Sequence, residues 1–140
     1  MNTPVNFLLA KLLKEKGFDV PVKQGYGERV YFESAVGAKN FNDLSNYSAN
    51  FYSAPTIAVV LMWLYDTHQI WIYTFPVEPF DDGGEYPKVV WISKVLSMNQ
   101  IMFEKYIDAD NGLAVNHHAS PQQALIAGIT HVLNNSIKQS

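Results

Sequence analysis

Cysteine is absent from the 140 residues of this chain. Without it, the chain has no disulfide bond, no thiol nucleophile and no zinc or iron–sulfur centre held by cysteine. A chain free of cysteine also suits a reducing compartment, and we expect a cytoplasmic protein.

Basic residues are few, because 10 Lys and Arg stand against 13 Asp and Glu, a formal net charge of −3. They form no basic run, which argues against a nucleic-acid partner, since phosphate binding depends on clustered positive charge.

Long apolar runs are also missing. The longest, residues 57–65, is too short to cross the ~30 Å hydrocarbon core of a bilayer, and the apolar start lacks a signal-peptide cleavage site. We expect neither a membrane partner nor a secretory signal.

The common catalytic motifs are missing as well. The sequence has no phosphate-binding loop, no GxSxG elbow, no HExxH helix and no Rossmann fingerprint. Residues 25–27, Gly-Tyr-Gly, lack a third glycine and lead into a strand pattern, so they indicate a hairpin turn. We assign no catalytic residue and no cofactor, and the chain fits a non-enzymatic protein better than an enzyme.

Apolar residues are what the chain has in quantity. Hydrophobic residues make up 48% and charged residues 16%, a balance typical of a folded protein. The length suits a single domain spanning residues 1–140, with no linker. Aromatic residues reach 14%, and we expect some of these large rings to stay partly exposed at an interaction surface.

A first helix is predicted at the start of the chain. Thr3 suits its N-cap and Pro4 its first position, where no amide donor is needed. Gly17 supplies a left-handed stop, and Phe18 folds back onto Leu13.

Residues 20–35 then indicate a hairpin, and residues 37–50 a surface loop with a turn near Asp43. A second helix is predicted to begin at residues 53–55. It is apolar nearly all round and so buried on most sides, although its β-branched residues leave a buried strand as the alternative.

From residue 70 the apolar period changes to two, which predicts a strand with two different faces. One face carries Ile70, Ile72 and Thr74, and the other carries Trp71, Tyr73 and Phe75. Residues 76–87 form a long hairpin loop, and a returning strand follows from residue 89.

Residues 100–107 are interpreted as a further strand, although a capping box at Ser97 and Gln100 would make them helical. Ser120 and Pro121 begin a last helix with a clear apolar face. The predicted fold is α+β, with an antiparallel sheet of about four to five strands packed against about three helices.

Six residues form the candidate ligand-binding set: Tyr65, Asp66, His68, Trp71, Tyr73 and Trp91. They would line a pocket between the second helix and the sheet. Asp66 could orient His68 as a general base, but His68 more simply complements the negative end of the helix. The aromatic strand face, with Trp91 on a neighbouring strand, is core if a helix covers it and a binding platform if it is open, and we favour core.

Two loops contain residues that could ligate a metal ion. Residues 117–118, a His-His pair, would need Asp108 or Asp110, but adjacent side chains diverge. The acidic residues at 81, 82 and 85 do not match the spacing of a calcium loop. We assign no metal ligand.

Short segments spread along the chain carry a family resemblance. These are LLKEKGFD at residues 12–19, SAPT at 53–56, WL with TH at 63–68, SPQQAL at 120–125 and AGI at 127–129. Together they resemble a family of small uncharacterised proteins from phages and prophages of gut bacteria. The resemblance implies a phage or mobile-element context, and it carries over no activity and no functional residue.

Three functions are compatible with these observations. The first is a non-enzymatic phage or prophage accessory protein that binds a protein partner or pairs as a homodimer. The second is a small-molecule-binding protein or small enzyme that uses the pocket described above. The third, single-strand nucleic-acid binding through the aromatic strand, is opposed by the net charge.

Overall fold

The structure, a computed structural model, describes residues 3–43, 50–77, 90–97, 104–107 and 120–137. Within these ranges lie three helices and six strands. In chain order they are α1 (Phe7–Glu15), β1 (Gln24–Gly27), β2 (Val30–Glu33), β3 (Phe51–Ser53), α2 (Ile57–His68), β4 (Ile70–Val77), β5 (Val90–Ser97), β6 (Glu104–Ile107) and α3 (Pro121–Asn135). The strands form two antiparallel sheets, β2-β1-β3 and β4-β5-β6. The α+β class is confirmed, and the strands expected in one sheet are divided between two.

Helix α1 begins later than predicted. Its N-cap is Asn6, whose side-chain oxygen accepts from the Leu9 amide at 2.9 Å. Thr3 and Pro4 are not its cap and first residue, because Pro4 lies in an isolated antiparallel bridge with Thr56. This pairing ties the start of the chain to the start of α2.

The predicted end of α1 is confirmed. Gly17 has a positive φ of 90°. The Phe18 amide donates to the Leu13 carbonyl at 3.0 Å and the Gly17 amide to the Lys14 carbonyl at 3.2 Å. These two bonds are the Schellman pattern, which places Phe18 back over the helix, where it is buried beside Leu13.

The predicted hairpin is present as β1 and β2, but its turn lies elsewhere. Glu28 and Arg29 make the turn with φ of 51° and 73°, while residues 25–27 belong to β1. Gly25 is needed for packing instead. A Cβ there would lie 2.8 Å from the Phe32 ring and 2.9 Å from the Tyr52 carbonyl oxygen, so only glycine lets this ring lie against the strand.

Strand β3 is not among the predicted elements, because the predicted loop ends at residue 50, the predicted second helix begins at residue 53, and residues 51–52 lie between them. Ser53 is buried in β3, and α2 is capped by Thr56, whose hydroxyl accepts from the Val59 amide at 3.4 Å. The loop before β3 docks on Ser53. The Phe41 amide donates to its hydroxyl oxygen at 3.0 Å, and Asn42 accepts from its amide at 2.9 Å.

The second sheet is covered by α3 on one face. Gly128 of α3 lies so close that an added Cβ would be 2.9 Å from the Ile72 side chain and 3.1 Å from the Ser93 hydroxyl. The predicted Ser120 cap of α3 is confirmed, since it accepts from the Gln123 amide at 3.1 Å. Strand β6 confirms the strand interpretation for residues 104–107.

One buried apolar cluster contains residues from all three helices and from β4 of the second sheet, and rings from the first sheet pack against it. Its largest fully buried side chains include Leu13, Phe18, Ile57, Leu64, Ile72, Ile129 and Leu133. In the described ranges, none of the helices combines the length and apolar character that crossing a membrane requires.

Candidate binding site on helix α2

Helix α2 buries only part of its apolar surface. The apolar stripe that the sequence predicts is buried, and Trp63, which that stripe does not include, is buried as well. The five buried residues are Ile57, Val60, Leu61, Trp63 and Leu64. The expectation of burial on most sides is wrong for Met62 and Tyr65, which are 51% and 41% exposed. Residues three apart lie on the same helix face, so Met62 and Tyr65 are neighbours on the solvent side.

Trp71 extends this exposed surface onto β4. Gln69 ends α2 in the left-handed conformation, with φ of 56°, and the chain then turns back as a strand. The Trp71 ring meets the Tyr65 ring edge to face, with 6.0 Å between centroids and 83° between planes. Met62, Tyr65 and Trp71 are hereafter the exposed stripe.

An open groove of about 410 Å³ lies beside the stripe. Its one wall is Asp19 and Val20, which follow the α1 stop, and its other wall is α2. The residues of α2 that line it are Ala58, Val59, Met62, Trp63, Asp66 and Thr67. This α2 groove differs from the predicted pocket, because residues 19–20 form its second wall where the sheet was expected.

Two unpaired carboxylates flank the α2 groove. Asp19 and Asp66 are both exposed. Within the described part of the chain, neither carboxylate has a hydrogen-bond or ion-pair partner. The groove therefore combines an apolar centre, at Val59 and Met62, with negative charge that no side chain of the described residues neutralises.

Trp63 forms a buried part of the groove wall. It is 3% exposed, and its ring contacts Phe18 at 5.2 Å and His68 at 4.9 Å between centroids. Its indole Nε1 is buried and has no hydrogen-bond partner in the part of the chain that the structure describes. A buried donor left in this state is costly, which is why such groups often mark a ligand or a strained site.

His68 does not join Asp66 as a catalytic pair. The two residues are two apart on a helix and so point in different directions, and no hydrogen bond joins them. The His68 ring packs on Trp63, and its Nε2 is buried without a partner. Burial lowers the pKa of His68, so desolvation outweighs the expected attraction to the helix end.

The remaining candidate residues lie on different faces of the second sheet. Tyr73 is half-buried, on the same side of β4 as Trp71, and its ring is 6.3 Å from that of Phe75. Trp91 is paired with Pro76, which puts it on the opposite side, with Ile72. The expectation of a core-facing aromatic strand does not hold for Trp71, because Ile70 and Ile72 face the core.

The loops weighed as metal sites, which contain residues 81–85 and 108–118, lie outside the described residues. Within the described ranges, no three His, Asp or Glu side chains come together as a metal site would require. The polar side chains that line the α2 groove are the carboxylates of Asp19 and Asp66 and the Thr67 hydroxyl.

No family model, no curated protein and no solved structure matches this chain.

Proposed function

We propose that this chain is a non-enzymatic interaction module that docks a segment of a partner protein on α2. The observation that carries the proposal is the continuity of the exposed stripe with the α2 groove, since Met62 belongs to both. An exposed apolar centre with charged residues at its rim is the usual anatomy of a transient protein–protein interface.

The biological context of the proposal comes from the sequence. The segments at residues 12–19, 53–56 and 120–125 support an accessory protein of phage or prophage origin. The absence of cysteine supports a cytoplasmic setting. Both parts of the context are separate from the docking surface, and either can fail without affecting it.

A small-molecule binder is the second candidate, because a groove of about 410 Å³ falls in the range of ligand pockets. A thermal-shift screen with metabolites and nucleotides tests it. A stabilising compound whose effect disappears in Asp66→Asn, with no effect of Tyr65→Ser, would favour this candidate over a protein partner.

Panning a random peptide display library against the immobilised protein tests the interaction proposal. We expect enriched peptides whose affinity, measured by calorimetry, falls about tenfold or more in the double variant Met62→Glu, Tyr65→Ser. Both side chains are exposed, so the variant should keep its fold, which circular dichroism checks.

The matched control changes Leu8→Glu and Val36→Ser, because these residues are each 74% exposed and lie outside the stripe and the groove. The control should bind like the unchanged protein. If nothing is enriched, or if the enriched peptides bind the stripe variant and the unchanged protein equally, the proposal is wrong.

A further inference from the structure

We infer that the partner segment inserts a lysine or arginine side chain into the α2 groove, with its aliphatic stem on Val59 and Met62 and its cation at Asp19 and Asp66. This inference rests on the proposed function and names the chemistry of the residue that anchors the partner. It excludes an acidic or phosphorylated anchor, which two carboxylates would repel.

Charge complementarity is the first argument. The carboxylates of Asp19 and Asp66 line one groove, and the described residues give neither of them a partner. Two basic side chains of the chain itself are occupied elsewhere. Lys14 donates to the Phe51 carbonyl at 2.9 Å, and Arg29 lies over the Phe7 ring at 5.3 Å. The described residues therefore leave the two carboxylates of the groove available to a cation of the partner.

The apolar lining of the groove is the second argument. The groove is also lined by Val59, which is half-buried, and Met62, which is largely exposed. A purely apolar occupant would cover them but would desolvate Asp66 without compensation. Lysine and arginine avoid this cost, because their methylene stems pack on apolar surface while the charged end reaches a carboxylate.

The test is a titration of isotope-labelled protein with two tripeptides, acetyl-Leu-Arg-Leu-amide and the same peptide with citrulline in place of arginine. Citrulline keeps the shape and removes the charge. We expect the arginine peptide to shift the amide signals of Met62, Asp66 and Thr67 and to bind about fivefold more tightly than its neutral twin. The difference should shrink with added salt.

Variants locate the effect in the groove. Asp19→Asn and Asp66→Asn should each reduce the arginine-to-citrulline ratio, while Glu28→Gln, the same loss of charge on the exposed β1–β2 turn, should leave it unchanged.

Equal affinity for the two peptides, or the same loss in Glu28→Gln as in Asp66→Asn, would overturn the basic anchor. The proposed function would still stand if Met62→Ser, which removes the apolar contact without adding charge, weakens the binding of both peptides. No shift of groove signals with either peptide overturns the inference as well. A concentration-dependent dimer that Met62→Glu converts to a monomer would identify a second copy as the occupant, against the inference.

Discussion

At the scale of single residues, two buried serines differ in whether the hydroxyl group is hydrogen-bonded. Ser53 and Ser93 are both fully buried. The Ser53 hydroxyl accepts from the Phe41 amide, and it belongs to a network in which the Asn42 side chain also bonds the Phe18 carbonyl at 3.0 Å. Among the described residues, the Ser93 hydroxyl, beneath Gly128 of α3, has no hydrogen-bond partner. The same side chain should therefore matter for stability at one position and not at the other.

Replacing each serine with alanine tests this difference. Ser53→Ala should lower the free energy of unfolding by about 1–3 kcal/mol, because the Phe41 amide is left buried without an acceptor. Ser93→Ala should be neutral or stabilising by up to about 1 kcal/mol, because it removes a buried polar group that gains nothing. Urea unfolding of both variants measures the two effects, and an equal loss in both would contradict the argument.

At the scale of elements, α1 and α2 both end at a residue in the left-handed conformation, but the residue types differ. At the end of α1 the positive φ falls on Gly17, where it costs little because glycine has no Cβ. At the end of α2 it falls on Gln69, where a side chain makes the left-handed conformation unfavourable. The strain is located at the connection that brings Trp71 beside Tyr65.

Gln69→Gly should therefore raise the stability by up to about 1 kcal/mol, since relief of strain exceeds the entropy that glycine adds to the unfolded chain. Lys16→Gly is the matched control. Lys16 is the C-cap of α1 with φ of −98°, so glycine relieves no strain there and should destabilise. Thermal unfolding distinguishes the two, and a loss of stability in Gln69→Gly would show that the cap is not strained.

Short sequence patterns predicted some elements correctly and failed at positions where contacts with distant residues decide the conformation. The Gly17 stop, the Ser120 cap and the period of two in β4 each depend on a few consecutive residues, and each was predicted. Thr3 looked like a cap and residues 25–27 like a turn, but pairing with Thr56 and packing against Phe32 decided their conformations. Tertiary contacts override local preference at such positions.

At the scale of the whole molecule, the α2 groove could not be read from the sequence, because its walls are separated along the chain. Asp19 and Val20 reach α2 only because Phe18 is buried against Trp63. Asp66 was singled out for its neighbour His68, whereas its relevant neighbours are Met62 on the same helix face and Asp19 across the groove. Trp63 belongs to both the core cluster and the groove wall, so a substitution there would disturb the fold together with the groove.

His68, on the other side of Trp63, links this region to the stability of the whole fold. Its pKa is lowered by burial, so the folded state resists the proton that the unfolded chain takes up below about pH 6.5. The free energy of unfolding should therefore fall as the pH falls from about 7 through 6.5 toward the folded pKa, and level off below it. The neutral imidazole packed on Trp63 is the form that the fold stabilises.

Urea unfolding of the unchanged protein and of His68→Gln at a series of pH values isolates this contribution, because the carboxylates titrate in both. The difference in stability between the two proteins should favour the histidine more at pH 7 than at pH 5. An NMR titration of the His68 ring gives its pKa directly, which should lie below about 6.5. A ring pKa above that value, or a stability difference that does not change with pH, would mean that the negative end of α2 outweighs burial at this position.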